Sequence, residues 1–438
     1  MTYEESLKYI RDTAAFGSKL GLDNIRNLMS LLGDPQKDMR IIHIAGTNGK
    51  GSVAAYLLSI LQTGGYRVGF YTSPELFRFS ERIRIGDEEI SPEDTARYAS
   101  MVKEQADRMS EEGVGHPTEF ELVLAMALCY FRDKGTDIVI LEVGLGGRLD
   151  ATNVIERSEL SVITRIGYDH MQYLGNTLEA IAAEKAAIIK PGGRVIVWPT
   201  GDSVMRVFRD ECSAKGAKLH IAERPEAGVA SLEKGQCFSL CGKEYSICMA
   251  GLYEADNAAL AIQASDILRE RFDRISDETV SDGIARTVWP GRFEILSTSP
   301  LIIVDGAHNT DGAEALATCL ERYFGVKKVR LCMGILRDKQ YREMLRVLLP
   351  YAASVIAVEV PNPRSLKAEE LKEEILSVRP ELVVRTAERV EDVINEIKKP
   401  RQDAVADIIC GSLYLVGPVR DQIIKMISAS HPPRDMGI

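Results

Sequence analysis

One stretch constrains the fold more than any other. Arg40-Ile41-Ile42-His43-Ile44-Ala45 reads as a buried strand, and a glycine-rich turn, Gly46 to Ser52, follows it at once. From Lys50 to Gln62 the apolar spacing is helical and stops at Gly64-Gly65, after which Arg67 to Tyr71 is a second strand. Two strands joined through a helix make a βαβ unit, which implies a parallel sheet covered by helices. The alternation continues with helices Pro92 to Met109 and Glu119 to Arg132, strands Asp137 to Glu142 and Leu160 to Thr164, helix Thr177 to Ile189 and strand Arg194 to Trp198. Upstream, Ser6 to Leu32 carries apolar residues at helical spacing (Leu7, Ile10, Ala14), broken at Gly21 and Gly33.

Between Arg206 and Tyr253 the pattern turns into short, β-rich, glycine-punctuated pieces, expected as an antiparallel edge or excursion; a helix from Asp256 to Leu268 closes it. Trp289-Pro290-Gly291-Arg292 interrupts the periodicity, and a second alternation begins. It has strands Leu301 to Asp305, Lys328 to Met333, Ser354 to Val358, Leu382 to Arg385 and Ala406 to Cys410, with a helix from Gly312 to Phe324. The expected architecture is α/β: an N-terminal domain with a parallel sheet and a P-loop-like glycine turn over residues 1–293, then a smaller Rossmann-like domain over 294–438. With no repeat and no long linker, the two domains should face each other across a cleft.

Lys plus Arg is 54 against 64 Asp plus Glu, a formal charge of −10, which argues against nucleic acid as a partner. The longest uninterrupted apolar run, Leu122 to Phe131, is ten residues, about half of the roughly 20 that a membrane helix needs. The acidic, polar start Met1 to Ser6 lacks the pattern of a signal peptide, so a cytoplasmic location is expected. Eight cysteines are scattered without a C-x-x-C pair, and Cys237, Cys241 and Cys248 cluster with no nearby histidine; reduced thiols are the expectation.

Gly46-Thr47-Asn48-Gly49-Lys50-Gly51-Ser52 lies where backbone N–H groups and a helix N-terminus can surround phosphate oxygens, with Lys50 reaching the β- and γ-phosphates. It departs from the standard Walker A pattern, which has a glycine where Ile44 stands and a hydroxyl where Gly51 stands. A tight βα turn with a solvent lysine is the plainer alternative. Glu142, at the C-terminal end of a buried strand, is a candidate Mg²⁺ ligand or a cap for the following glycine turn. His170 follows another strand end and can project into the same cleft, or be merely hydrogen-bonded. Lys185 lies among Ile181, Ala186, Ile188 and Ile189, where burial would depress its pKa and make it nucleophilic; otherwise it is a solvent-side helix residue.

His43 through Ser52 and Leu141 through Asn153 resemble the two signature stretches of the folylpolyglutamate synthase/dihydrofolate synthase family of Mur-type ATP-dependent amide ligases. Tyr71-Thr72-Ser73-Pro74, Glu81-Arg82-Ile83, Tyr168-Asp169-His170, Glu184-Lys185-Ala186, Trp289 to Arg292, Asp305 to Asn309 and Gly411 to Tyr414 follow in family order, covering nearly the whole chain. The resemblance implies that Asn48, Gly49, Lys50, Gly51 and Ser52 hold ATP. It implies that Ser73 and Glu142 bind one Mg²⁺, His170 with Glu142 a second, and that Lys185 is carbamylated. Asn257, Arg292 and Asp305 are similar to the family's nucleotide contacts, His308 to a residue near the transfer centre, and Thr118, Phe120, Asp150 and Ser412 to its substrate side. Three positions depart from the family pattern: Glu75 after Thr-Ser-Pro, Tyr253-Glu254 before the Asn-Ala pair, and Gln340 after Arg-Asp-Lys.

The implied activity is ATP-dependent addition of L-glutamate to dihydropteroate or a reduced folate through an acyl phosphate, by a monomer acting on small molecules. Two alternatives stay open: a Mur-type ligase for a non-folate acceptor, suggested by Glu75 and Gln340, and a P-loop switch protein.

Overall fold

The computed structural model describes residues 1–13, 21–401 and 403–430. Its first sheet has eight strands: β1 (Ile41–Ala45), β2 (Val68–Tyr71), β3 (Ile83–Ile85), β4 (Glu88–Glu89), β5 (Ile138–Glu142), β6 (Leu160–Ile163), β7 (Arg194–Val197) and β8 (Lys218–Ile221). They lie in the order β4-β3-β2-β5-β1-β6-β7-β8, parallel except for β3 and β4, so β1 occupies the buried middle, as its unbroken apolar run demands. The chain leaves β1 for β2 on one side and later returns to β6 on the other, which opens a crevice at the C-terminal ends of these strands. Register aligns those ends: Ile44 pairs with Glu142, Ala45 with Ile163, and Tyr71 with Leu141.

The helix Lys50–Thr63 is apolar on almost every face because it is sandwiched between the sheet and the helices Glu254–Leu268 and Asp277–Arg286. The helix approach is close enough that a Cβ on Gly283 would come within 2.7 Å of the Ile60 backbone. On the other face, helix Glu119–Asp133 starts with a capping box between Thr118 and Glu121 and buries Leu122 through Phe131.

The sequence-based helix over Ser6–Leu32 resolves into Tyr3–Asp12 and Asp23–Leu31; Ala14 lies outside the described residues. The β-rich reading from Arg206 is corrected at its start. Val204, Met205, Phe208 and Cys212 form one buried face of a helix, Asp202–Lys215, whose period the surrounding polar residues obscure. The rest is an excursion: β9 (Glu226–Ser231), β10 (Gly235–Leu240) and β11 (Lys243–Ile247) form a separate antiparallel sheet.

The second main sheet contains β12 (Glu294–Thr298), β13 (Leu301–Val304), β14 (Val329–Met333), β15 (Ala352–Val358), β16 (Val383–Ala387) and β17 (Asp407–Cys410), ordered β12-β13-β17-β14-β15-β16. Only β12 runs antiparallel to its neighbour. Among the described residues no helix is long and apolar enough to cross a membrane.

Candidate active site where the two sheets meet

The glycine turn after β1 is tied down from the β6 side. Thr47 N and Asn48 N donate to the Arg165 carbonyl at 2.9 and 3.4 Å, and Thr164 Oγ1 donates to the Asn48 carbonyl at 2.8 Å. Gly49 begins the helix in the left-handed region (φ +91°), and a Cβ there would overlap the Asn257 side chain. A Cβ on Gly51 would come within 2.8 Å of Trp289 Nε1, which explains why the hydroxyl residue of a standard Walker A is absent: the indole occupies that space. The first N–H groups of the helix have no intrahelical acceptors, the ordinary basis of an anion cradle. Lys50 curls back across the turn, donating to Gly46 O at 3.2 Å and Thr47 O at 3.4 Å. Ser52 is buried, and its hydroxyl donates to Glu254 Oε1 at 2.8 Å.

Glu142 is buried at the end of β5, where its carboxylate accepts the Thr72 hydroxyl and the Ser73 N–H. Burial pushes its carboxyl above the usual range, opposed by Lys50, the Thr72 bond and Arg292. Glu142 thus offers carboxylate oxygen beside the Ser73 backbone, and a carboxylate with a nearby hydroxyl residue suits Mg²⁺, which binds few protein ligands and keeps its waters. Among the described residues no group of three or more His, Cys, Asp or Glu side chains converges as a closed metal cage. His170 has φ +50° and lies beside Asp169; its imidazole is pulled down to about 4 by burial, with Asp169 opposing and Lys339 and Lys50 reinforcing.

Lys185 is 4% exposed, so the solvent-side reading falls. Its Nζ donates to Gly46 O at 2.9 Å, the same carbonyl that accepts from Lys50. Burial first, and the Lys50 charge second, bring its pKa down to about 7, which leaves a large neutral fraction at physiological pH.

The second sheet supplies the opposite wall. Asn48 and Asn309 exchange hydrogen bonds at 3.2 and 3.0 Å, and Asn309 also caps the helix Thr310–Phe324. Asp169, after β6, receives Asn309 Nδ2 at 3.1 Å and Lys339 Nζ at 2.5 Å, with His308 Nε2 at 3.5 Å. Burial would raise this carboxyl, but His308 and Lys339 outweigh it and hold it well below the ordinary carboxylate range. Arg292 stands between three buried acids, Glu142, Glu254 and Asp305, and lowers each.

Set against known proteins, residues 44–265 match the Mur ligase middle domain, and residues 291–413 match the glutamate ligase domain of the Mur ligases. The chain belongs to the Mur ligase family. Within it, the chain is 36% identical to the dihydrofolate synthase/folylpolyglutamate synthase of Bacillus subtilis over 435 residues, covering 96% of this chain and 99% of that protein. It is similar to the folylpolyglutamate synthase structure from Thermotoga maritima, with 34% identity, a TM-score of 0.82 and 96% of each chain covered. It is also similar to the Escherichia coli structure in complex with DHPP and ADP, with 29% identity, a TM-score of 0.83 and 98% of each chain covered.

Within this family, the four residues on the implied substrate side separate. Phe120 packs edge-on to Tyr71 with ring centroids 5.8 Å apart and covers Gly144. Thr118 caps its own helix. Asp150 is saturated inside its loop: Oδ2 accepts Gly144 N and Leu145 N, and Oδ1 accepts Thr152 N and Oγ1. Ser412, buried at the start of the last helix, accepts the Tyr414 N–H at 3.2 Å. Asp305 is also saturated, by Tyr253 Oη, Phe293 N and Ala307 N. Glu75 lies 3.7 Å from buried Arg82, and Gln340 accepts the Thr310 hydroxyl at 3.2 Å. Sequence reasoning assigned no role to Asp169, Asn309, Lys339 or Glu254. Asp169 and Asn309 stand inside family motifs, but their partners lie on the other sheet.

Proposed function

We propose that this protein uses ATP to join L-glutamate to a folate-type carboxylate, dihydropteroate or a reduced folate, through an acyl phosphate. The observation that carries the reading is the meeting of the nucleotide turn with the second sheet through the Asn48–Asn309 pair, beside Lys50, Lys185 and Glu142. Its support from relatives is the similarity to folylpolyglutamate and dihydrofolate synthases, one of them held with DHPP and ADP. The division at residue 293, with the eight-stranded and three-stranded sheets in the first domain and the six-stranded sheet in the second, belongs to the same reading, as does a cytoplasmic monomer.

In this mechanism the turn amides and Lys50 hold the triphosphate and take up charge as the substrate carboxylate oxygen attacks the γ-phosphorus and ADP departs. The α-amine of glutamate then attacks the acyl carbon, phosphate leaves, and the amine loses its proton; Arg292 and His308 stand where they can steady the charged intermediate. Closure of the two domains on each other would exclude the water that otherwise hydrolyses the acyl phosphate. Ser73, Glu142 and His170 would hold Mg²⁺, which supplies charge neutralisation on the phosphates. Neutral Lys185 Nζ adds to carbon dioxide and loses a proton, placing a carbamate beside the nucleotide turn.

The test is direct: incubate with ATP, L-glutamate and each pterin acid, follow phosphate release and weigh the products. Phosphate release that needs both acid and glutamate, with products heavier by one glutamyl unit, is the expected result. Release with neither co-substrate would instead favour a nucleotide switch.

A further inference from the structure

Behind the nucleotide turn lies a carboxylate that the mechanism above leaves unused. Glu254 is fully buried at the first turn of the helix Glu254–Leu268. Its Oε1 accepts the Ser52 hydroxyl at 2.8 Å, and its Oε2 accepts Asn257 Nδ2 at 3.1 Å. Ser52 belongs to the turn's own helix, and Asn257 fills the space against Gly49. Glu254 therefore stands one side chain away from the phosphate cradle on two sides at once.

We propose that Glu254 is a positioning residue which clamps Ser52 and Asn257 to the nucleotide turn and takes up a proton when a polyphosphate binds there. This rests on the reading of that turn as a nucleotide site. Two features of the geometry support it. The clamp survives a change of charge: an ionised carboxylate accepts from both partners, and a protonated one donates from Oε1 to the Ser52 oxygen, which can accept, without moving a heavy atom. The charge itself does not suit an occupied site, because a buried carboxylate close to a polyanion in a weakly screening interior is repelled unless it is neutralised.

The groups facing Glu254 leave it poised. Tyr56 comes from the turn's helix, with a buried hydroxyl that lacks a hydrogen-bond partner among the described residues; Tyr253 precedes Glu254 in sequence; Cys319 comes from the helix Thr310–Phe324. The Arg292 cation favours its ionised form, and the Asp305 carboxylate opposes that effect. Burial outweighs the Ser52 and Asn257 bonds and Arg292, lifting the carboxyl to about 7 in the free protein, so a further anion carries it through the physiological range.

The experiment is calorimetric titration of β,γ-methylene-ATP into the full chain at pH 6 to 9, in buffers of different ionisation enthalpy, for wild type and Glu254→Gln. Glutamine keeps the shape and loses the titration, and the ligand's own phosphate titration is common to both proteins. Wild type should take up about half a proton more than the variant near pH 7.5. Its Kd should weaken roughly tenfold more between pH 6 and 9, which corresponds to a roughly tenfold rise in the carboxylate's proton affinity when the polyphosphate binds. If Glu254→Gln fails to fold, Ser52→Ala gives the same readout: losing the hydroxyl that favours the ionised form should move the window of proton uptake to higher pH. Equal proton uptake in wild type and Glu254→Gln, or an unmoved window in Ser52→Ala, overturns the inference alone. No nucleotide binding at any pH overturns the underlying reading and the inference with it.

Discussion

Lys185 and Lys190 sit five residues apart, both buried, on opposite sides of one turn of chain. Lys190 faces the underside of the 153–155 loop and donates to three oxygens, Asn153 O at 3.4 Å, Asn153 Oδ1 at 2.7 Å and Ile155 O at 2.5 Å. Lys185 faces the cleft, has Gly46 O as its single acceptor among the described residues, and shares it with Lys50. The same contrast holds for the acids: Asp150 spends both oxygens on its own loop, whereas Glu142 takes one hydroxyl and one amide and feels Lys50 and Arg292 across the cleft. Burial alone does not separate working groups from structural ones. Under the proposed function, what separates them is how completely the protein itself satisfies them.

That comparison can be broken. Lys50→Ala should lower turnover by roughly 10²-fold or more, because a transition-state phosphate contact is lost. The melting temperature should hold, since only two long hydrogen bonds go with it; near-normal turnover would remove Lys50 from the mechanism. Glu142→Ala should abolish most Mg²⁺-dependent ATP turnover, on the order of 10²-fold, while circular dichroism stays native. An unfolded variant would move Glu142 to the structural side. For Lys185→Ala the expected loss is roughly 10- to 100-fold, with partial recovery in acetate, and ¹³C-bicarbonate NMR of the wild type should show a carbamate signal that the variant lacks. A fully active Lys185→Ala with no carbamate signal in wild type would collapse the distinction between the two lysines.

On the other side, Lys190→Met should leave kcat of the folded protein unchanged within about twofold, while denaturant melts show a loss of about 1–3 kcal/mol from carbonyls left unpaired. Its pH dependence sharpens the point. Burial brings Lys190 down to about 8 from the ordinary 10.5, so between these values the unfolded chain keeps a proton that the folded chain has released. Folded-state stability contributed by this group therefore rises with pH across that window, and the difference between wild type and Lys190→Met should grow from pH 8 to pH 10. A difference that shrinks would contradict the burial argument.

Much of the site is legible in the residues because its signals are local. A strand, three glycines around one lysine and a helix specify the turn at Gly46 to Ser52, and a carboxylate at the end of an apolar strand marks Glu142. Lys185 is legible for a related reason, since alanine and isoleucine neighbours leave a lysine little solvent. The helix Asp202–Lys215 escapes such a reading because a four-residue apolar spacing is diluted by charged residues between β-rich segments.

The sequence by itself determined the βαβ unit around the glycine turn, the parallel sheet and the chemical types at the ends of β1, β5 and β6, because hydrophobic periodicity and glycine placement act over a few residues. Only the tertiary structure decided which polar groups are left incompletely bonded. Asp169 meets Lys339 and Asn309 from the other sheet, Gly51 makes room for Trp289, and Ser52 turns to Glu254 rather than to the cleft. These partners are separated by roughly 100 residues or more, and hydrogen bonding and desolvation depend on distances in space that no local pattern encodes.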